Sequence, residues 1–338
     1  MKICVGINEA SEIAQLVKVG ADEFYCGVIP STWRKKYACS FLSRRENAGS
    51  NFLSYKHLSE AIALAKKFHR QIWVVFNSLY YPQRLMPEIK RVILKVLSLG
   101  PSGLIIADPG LLLLLAELKP NVPVILSGEF GVFNSYSLAL LGAIKNIKRI
   151  TIQRHLAVSE IAAIAKKFPQ YEYEAFILNE KCPFVGAHCF AGHGDVFWDK
   201  YSGLNRNLCS ELLEANFSIS LAEPHSLAFL NKAYTSYVEY QKRNRFNFAF
   251  RLKGEPIDQN NILVDCGLCY VKKLKAAGVR YLKIVSRGRA FSLKLKMVAL
   301  ARMIADGNFT RKEIVKKYEA TFGQKGRETC AAKYFCYY

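Results

Sequence analysis

Short Val- and Ile-rich runs alternate with amphipathic segments of about ten residues through the first half of the chain, and this alternation narrows the fold more than any other feature. Strands are predicted over Ile3–Gly6, Glu23–Gly27, Ile72–Asn77, Gly103–Asp108, Val122–Ser127, Arg149–Arg154 and Tyr171–Leu178. Helical patterns separate them, among them Glu9–Val19, Tyr55–Phe68, Met86–Leu99, Gly110–Glu117, Ser135–Ile144 and Ser159–Phe168. Ser54 before Tyr55, and Ser159 beside Glu160, are suited to accept the orphan N–H groups of a first helical turn. Parallel strands need crossovers of this length, so the pattern reads as repeated βαβ units.

An eighth strand, Tyr281–Val285, follows a helix candidate at Cys269–Ala276 and leads into Phe291–Ile304. Eight units predict an α/β fold of the (β/α)8 TIM-barrel type, with a doubly wound open sheet carrying an added domain as the alternative. Residues 1–179 would supply the first seven units and 180–265 a cysteine-containing, aromatic and basic insertion. Residues 266–306 would then complete the barrel, and 307–338 would form a basic, helical C-terminal extension. The end of that extension, Glu328 to Tyr338, is read as a tail that either docks or stays mobile.

Hydrophobic residues make up 51% of the 338, enough for a large core. No apolar run reaches the roughly 18–20 residues that cross a bilayer, and Met1–Ile7 is too short for a secretory signal. The expectation is a cytoplasmic chain without membrane insertion. In that compartment ten cysteines point to metal or redox chemistry rather than to a disulfide framework. Cys4 and Cys26 sit in strand-like segments and read as buried structural thiols. The formal charge is +21, and residues 271–338 alone hold 17 Lys or Arg against 4 Asp or Glu. Such a field attracts polyanions and acidic small molecules, although a solvated basic surface would look the same.

Four cysteines stand apart. Cys182 and Cys189 bracket a Gly- and Pro-containing loop after the seventh strand, and Cys209 and Cys266 follow at wide spacing. Soft thiolates suit a [4Fe–4S] cluster or a structural zinc; the wide, irregular spacing favours the cluster over zinc's short paired knuckles. His188, His193 and His225 lie near enough in sequence to assist. No P-loop, G-x-S-x-G, H-E-x-x-H or Cys-x3-Cys-x2-Cys motif occurs. A barrel gathers its chemistry at the C-terminal ends of its strands. The polar residues there are Asn77, Asp108, Ser127, Glu129, Arg154, His155, Arg287 and Arg289, each of which could equally cap a helix.

Several blocks together resemble the peptidase U32 family, the collagenase-like proteases. They are Gly20-Ala-Asp-Glu-Phe-Tyr-Cys-Gly27, Asn47-Ala-Gly-Ser-Asn-Phe52, Val74-Val-Phe-Asn-Ser-Leu79, Gly103-Leu-Ile-Ile-Ala-Asp-Pro-Gly110 and Glu174-Ala-Phe176. Asp265-Cys266, Ala277-Gly-Val-Arg-Tyr-Leu-Lys-Ile284 and Arg287-Gly288-Arg289 complete the series. The resemblance implies that Cys182, Cys189, Cys209 and Cys266 hold a [4Fe–4S] cluster. It implies oxygen-independent hydroxylation of RNA or of a quinone ring, with prephenate as the source of the hydroxyl group. It also implies a related partner subunit in some members, and it puts the second-block arginine at Arg44 or Arg45. One departure is Ser286, where the family usually carries an acid.

A dicarboxylate such as prephenate is best clamped by paired guanidinium groups, for which Arg44, Arg45, Arg154, Arg287 and Arg289 are the candidates, with Asn77 beside them. An RNA substrate would call for aromatic rings beside cations, as at Tyr237, Tyr240, Lys242, Arg243, Arg245 and Phe246. Two other functions stay open: a peptidase, as the family name says, and a non-catalytic cluster- or zinc-binding partner subunit.

Overall fold

Strands buried on both faces need apolar residues at nearly every position, and the runs read from the sequence have that character. The computed structural model describes residues 1–37, 42–45, 48–119, 121–179, 187, 264–331 and 336–338. Its strands are β1 (Lys2–Gly6), β2 (Glu23–Val28), β3 (Asn51–Phe52), β4 (Gln71–Phe76), β5 (Gly103–Ile106), β6 (Val124–Leu126), β7 (Ile147–Thr151), β8 (Glu172–Leu178) and β9 (Tyr281–Ile284). All pair in parallel, and β1 pairs with both β2 and β9, through Cys4 to Glu23 on one side and Cys4 to Lys283 on the other. That double pairing closes an eight-stranded barrel and removes the open-sheet alternative. The two-residue β3 is a side branch on the C-terminal end of β2, matching Gly27 to Asn51.

Helices lie between the strands as predicted, with bounds that differ where capping decides. Ser54 caps Tyr55–Lys67 by accepting from the His57 N–H at 3.1 Å. Ser159 does not cap the next predicted case. That helix starts at Val158, and the Glu160 carboxylate accepts from the Ala157 N–H at 2.7 Å. The helix from Ser135 stops at Ala139 rather than Ile144, because the chain leaves it through a run of i to i+3 bonds around Gly142. Ser31–Tyr37 is helical without having been predicted; only Trp33 of it is buried, so it shows no apolar stripe. The last helix, Arg311–Ala331, bends at Gly323, whose φ of 63° is open to glycine. No helix among the described residues is long and apolar enough to cross a membrane.

Three buried apolar clusters result. The largest fills the layer between strands and helices, a smaller one inside the barrel joins Cys4, Tyr25, Trp73, Val75, Ile105 and Ile125, and the smallest joins Phe176, Val285 and Tyr337. Cys4 and Cys26 are fully buried, as expected of structural thiols.

Beneath the inner core the barrel is plugged by charge. Arg149, fully buried, donates to Glu23 at 2.7 and 3.0 Å and to Glu174 at 3.1 Å, and reaches Glu172 at 3.5 Å. The Tyr281 ring lies 3.2 Å from its guanidinium carbon, and Lys283 bonds Glu174 at 2.5 Å. Burial alone would push the Arg149 guanidinium down, but the carboxylates of Glu23 and Glu174 hold it above its ordinary value. Burial likewise opposes the charge on Glu174, yet Lys283 and Arg149 leave its carboxyl below the usual range.

Candidate active site

The chain turns sharply after β9, and this turn builds the centre of the barrel's C-terminal mouth. Ser286 Oγ accepts from the Gly6 N–H at 2.9 Å and donates to the Gly6 carbonyl at 3.0 Å, tying the turn to the end of β1. Gly288 follows with φ 76°, and its N–H donates to Asn8 Oδ1 at 2.8 Å. Between them Arg287 points inward and is 3% exposed. Its Nη1 donates to Ser43 Oγ at 2.8 Å and to Asn51 Oδ1 at 3.4 Å, with the Tyr25 ring 6.0 Å away.

Two glycines make the room. A Cβ at Gly27 would come within 2.0 Å of Asn51 Oδ1 and 2.5 Å of Arg287 Nη1, and one at Gly6 within 2.8 Å of Arg287 Cγ. Both Arg287 acceptors are neutral, and among the described residues no carboxylate pairs with it. Burial pushes its guanidinium below its ordinary value, though an arginine so placed stays charged.

The other predicted arginines ring this centre. The Arg44 N–H donates to Asn77 Oδ1 at 3.1 Å, so Asn77, just past β4, anchors the loop that carries both Arg44 and Arg45. Arg45 Nη1 donates to the Arg287 carbonyl at 3.1 Å, and Asn51 Nδ2 to the Arg45 carbonyl at 2.6 Å. Glu129 stands between two cations, 3.3 Å from Arg154 and 3.9 Å from Arg44. Arg154 also lies over the Phe176 ring, 4.5 Å from its centroid. Arg289 is pushed down by burial and held up by the nearby Asp265. All six predicted substrate residues therefore share one end of one barrel.

Of the four predicted cluster cysteines, Cys266 lies among the described residues; Cys182, Cys189 and Cys209 lie outside them, as do His188, His193, His225 and the aromatic, basic segment from Tyr237 to Phe246. Cys266 forms an antiparallel bridge with Leu178 at the top of β8 and a parallel one with Cys336. Residues 336–338 are docked: the Tyr337 N–H donates to the Cys266 carbonyl at 3.0 Å, and the Tyr337 ring stacks on Phe176 at 6.2 Å. The Tyr337 hydroxyl donates to the Asn179 carbonyl, and the Tyr338 hydroxyl to that of Phe176 at 3.0 Å. Burial pushes the Cys266 thiol well above its usual range, and Cys330, Cys269 and Cys336 add to that.

No three His, Cys, Asp or Glu among the described residues are arranged to hold a metal. As a ligand Cys266 therefore needs donors from outside them. A thiol at this rim is a soft donor of the kind that a cluster iron or zinc takes.

Sequence reasoning missed Ser43, Asn51, Gly6, Tyr25 and the Tyr337–Tyr338 pair as parts of this site. Gly27 and Asn51 stood in the motif blocks, and their spacing from Arg287 gave no sign that they form its socket. The tyrosines carried no signal at all, since an aromatic pair at a chain end has no period.

A parallel (β/α)8 barrel with an arginine-ringed mouth and a buried cysteine on its rim defines the class. The chain belongs to peptidase family U32, whose family model matches residues 8–338. It is similar to tRNA hydroxylation protein P of Haemophilus influenzae, 26% identical over 297 residues that cover 80% of this chain and 60% of that one. Its likeness to tRNA hydroxylation protein P of Escherichia coli is 29% over 190 residues, 56% of this chain and 39% of the relative. The chain thus spans less than two thirds of the length of these curated relatives. A solved structure entitled as the U32 peptidase Mk0906 superimposes on 52% of this chain and 68% of its own, at 13% identity and a TM-score of 0.40, too slight to add to the strand pairing.

Proposed function

We propose that this chain takes part in the hydroxylation of RNA, with tRNA as the first substrate to test. In this reading an acidic small molecule such as prephenate occupies the arginine-ringed mouth, and Cys182, Cys189, Cys209 and Cys266 hold a [4Fe–4S] cluster at its rim. The observation that carries it is Arg287, a buried guanidinium given only neutral acceptors. Leaving such a charge without a counter-ion is costly, so the arrangement is explained if a carboxylate completes it. The names of the curated relatives support RNA as the acceptor, and Cys266 beside the mouth supports a cluster there.

When bound, a cluster of this kind supplies either electron transfer or Lewis acidity, depending on whether one iron is open. The chain's own residues would do the rest. Arg287 and Arg45 clamp a carboxylate from below. Arg154, over Phe176, sits where a second carboxylate or a flat ring would lie, and Glu129 keeps Arg154 and Arg44 apart and oriented. Tyr337 covers the Phe176 side and keeps water from it.

A peptidase would need an activated nucleophile. The thiol that could take that role, Cys189 beside His188 or His193, is a cluster ligand in this reading and lies outside the described residues. The test is anaerobic purification of the full chain with iron, sulfide and zinc analysis, together with nucleoside mass spectrometry of tRNA from cells with and without the gene. About four irons per chain and a hydroxylated nucleoside that disappears with the gene are the expected results. Stoichiometric zinc would remove the cluster, and an unchanged nucleoside profile would remove tRNA as the substrate.

A further inference from the structure

Two helices carry a dense set of cations. On the helices Val271–Ala276 and Arg311–Ala331, Lys272, Lys273, Lys275, Arg311, Lys312 and Lys316 are all exposed. None of the six makes a salt bridge to an acid among the described residues.

The two helices present one surface. Lys272 Nζ donates to Asn308 Oδ1 at 2.5 Å, tying the first helix to the turn that opens the second. Glu313 faces Lys317 and Lys272, but its carboxylate is spent on the start of its own helix, accepting from the Thr310 N–H at 2.7 Å and the Thr310 hydroxyl at 2.8 Å. Rings lie among the cations: Tyr270 is 5.4 Å from Lys273 Nζ, and Phe309 is 4.5 Å from Lys317 Nζ. The surface also reaches the mouth, because Tyr270 packs on Tyr338, 5.7 Å between centroids, and Tyr338 bonds the Phe176 carbonyl.

We infer that this face docks the sugar–phosphate backbone of an RNA whose reacting nucleotide lies in the mouth. The choice of RNA rests on the function proposed above; the polyanion itself follows from like charges crowded without acid partners, which gain by releasing the counter-ions of a phosphate backbone. A membrane fits less well. A face that lies in a lipid surface sets Trp, Phe or Leu against the acyl chains, and neither helix exposes a large apolar side chain among the described residues.

The test is fluorescence anisotropy of unfractionated tRNA against the full chain and a variant carrying Lys272→Gln, Lys273→Gln, Lys312→Gln and Lys316→Gln, over a range of salt. The variant should bind at least tenfold more weakly, and its log–log salt slope should be shallower by about 3, since four lost phosphate contacts are each worth about 0.7 to 0.9. Parent-like affinity and slope in the variant would overturn the inference. So would a loss confined to phosphatidylserine vesicles, with tRNA binding intact. If the fourfold variant melts at a lower temperature, the Lys272/Lys273 and Lys312/Lys316 double variants carry the test, each expected to show about half the change in slope. Arg287→Met separates the two proposals: tRNA binding should persist while hydroxylated nucleoside is lost. Docking without any gene-dependent nucleoside would sink the function and leave the surface.

Discussion

Two buried arginines, one at each end of the same barrel, are treated in opposite ways. At the N-terminal end Arg149 meets Glu23, Glu172 and Glu174, and every one of these bonds is internal. At the C-terminal end Arg287 meets a serine and an asparagine. A fold that needed both only as filler would neutralise both. The first arginine has its answer inside the chain, and in the function proposed above the second takes its answer from a bound carboxylate. Burial alone would not have separated them, since one is 0% and the other 3% exposed; the chemistry of the acceptors does.

The contrast can be broken most forcefully at the N-terminal end. Arg149→Met strands Glu23 and takes one partner from Glu172 and Glu174, and Glu174→Gln strands Lys283 and half of Arg149. Either should cost about 3–5 kcal/mol, read as a fall in the urea midpoint. The same group sets an acid limit. Because the folded Glu174 carboxyl lies below its unfolded value, its contribution is fully present above the unfolded value of about 4.3 and is lost as pH falls through the folded one. Parent stability should fall in that window, and Glu174→Gln should flatten this part of the profile. An unchanged profile would mean that Glu174 is not held down by its partners.

At the other end, Gly27→Ala drives a methyl into Asn51 and Arg287, an overpacking worth about 1–3 kcal/mol, and should weaken dicarboxylate binding with it. Arg287→Met sharpens the comparison, since stability should hold or rise while calorimetric binding of a dicarboxylate falls roughly tenfold or more, the worth of a charge-assisted bond at about 1.5–3 kcal/mol. A stability loss as large as that of Arg149→Met would erase the difference between the two ends. Smallest is Tyr337→Phe, which removes one hydroxyl bond to Asn179 and should cost about 1 kcal/mol, visible as a small drop in melting temperature.

The barrel was largely legible in the sequence because its strands are apolar on both faces and its helices carry a stripe. All eight barrel strands fall where the Val and Ile runs lie, from Ile3 to Ile284. Local chemistry was less legible. Ser159 looked like a cap, but a neighbouring carboxylate reached the orphan N–H first. The arginines of the mouth were found through motif blocks and strand ends, yet their acceptors were not, because Ser43 and Asn51 meet Arg287 across more than two hundred residues of chain. Nothing periodic links such partners. The charged plug was hidden for the same reason, as Arg149 and Glu23 sit in strands that read simply as core.

The small side branch β3 has an effect out of proportion to its two residues. By pairing Asn51 with Gly27, it fixes Asn51, and through it Arg45 and Ser43, to the lattice of the sheet. A slip of one position there would turn Asn51 away and pull its amide from the Arg45 carbonyl in the same motion. The arginine socket of the mouth is thus keyed like a tumbler, held in place so long as this single notch is kept.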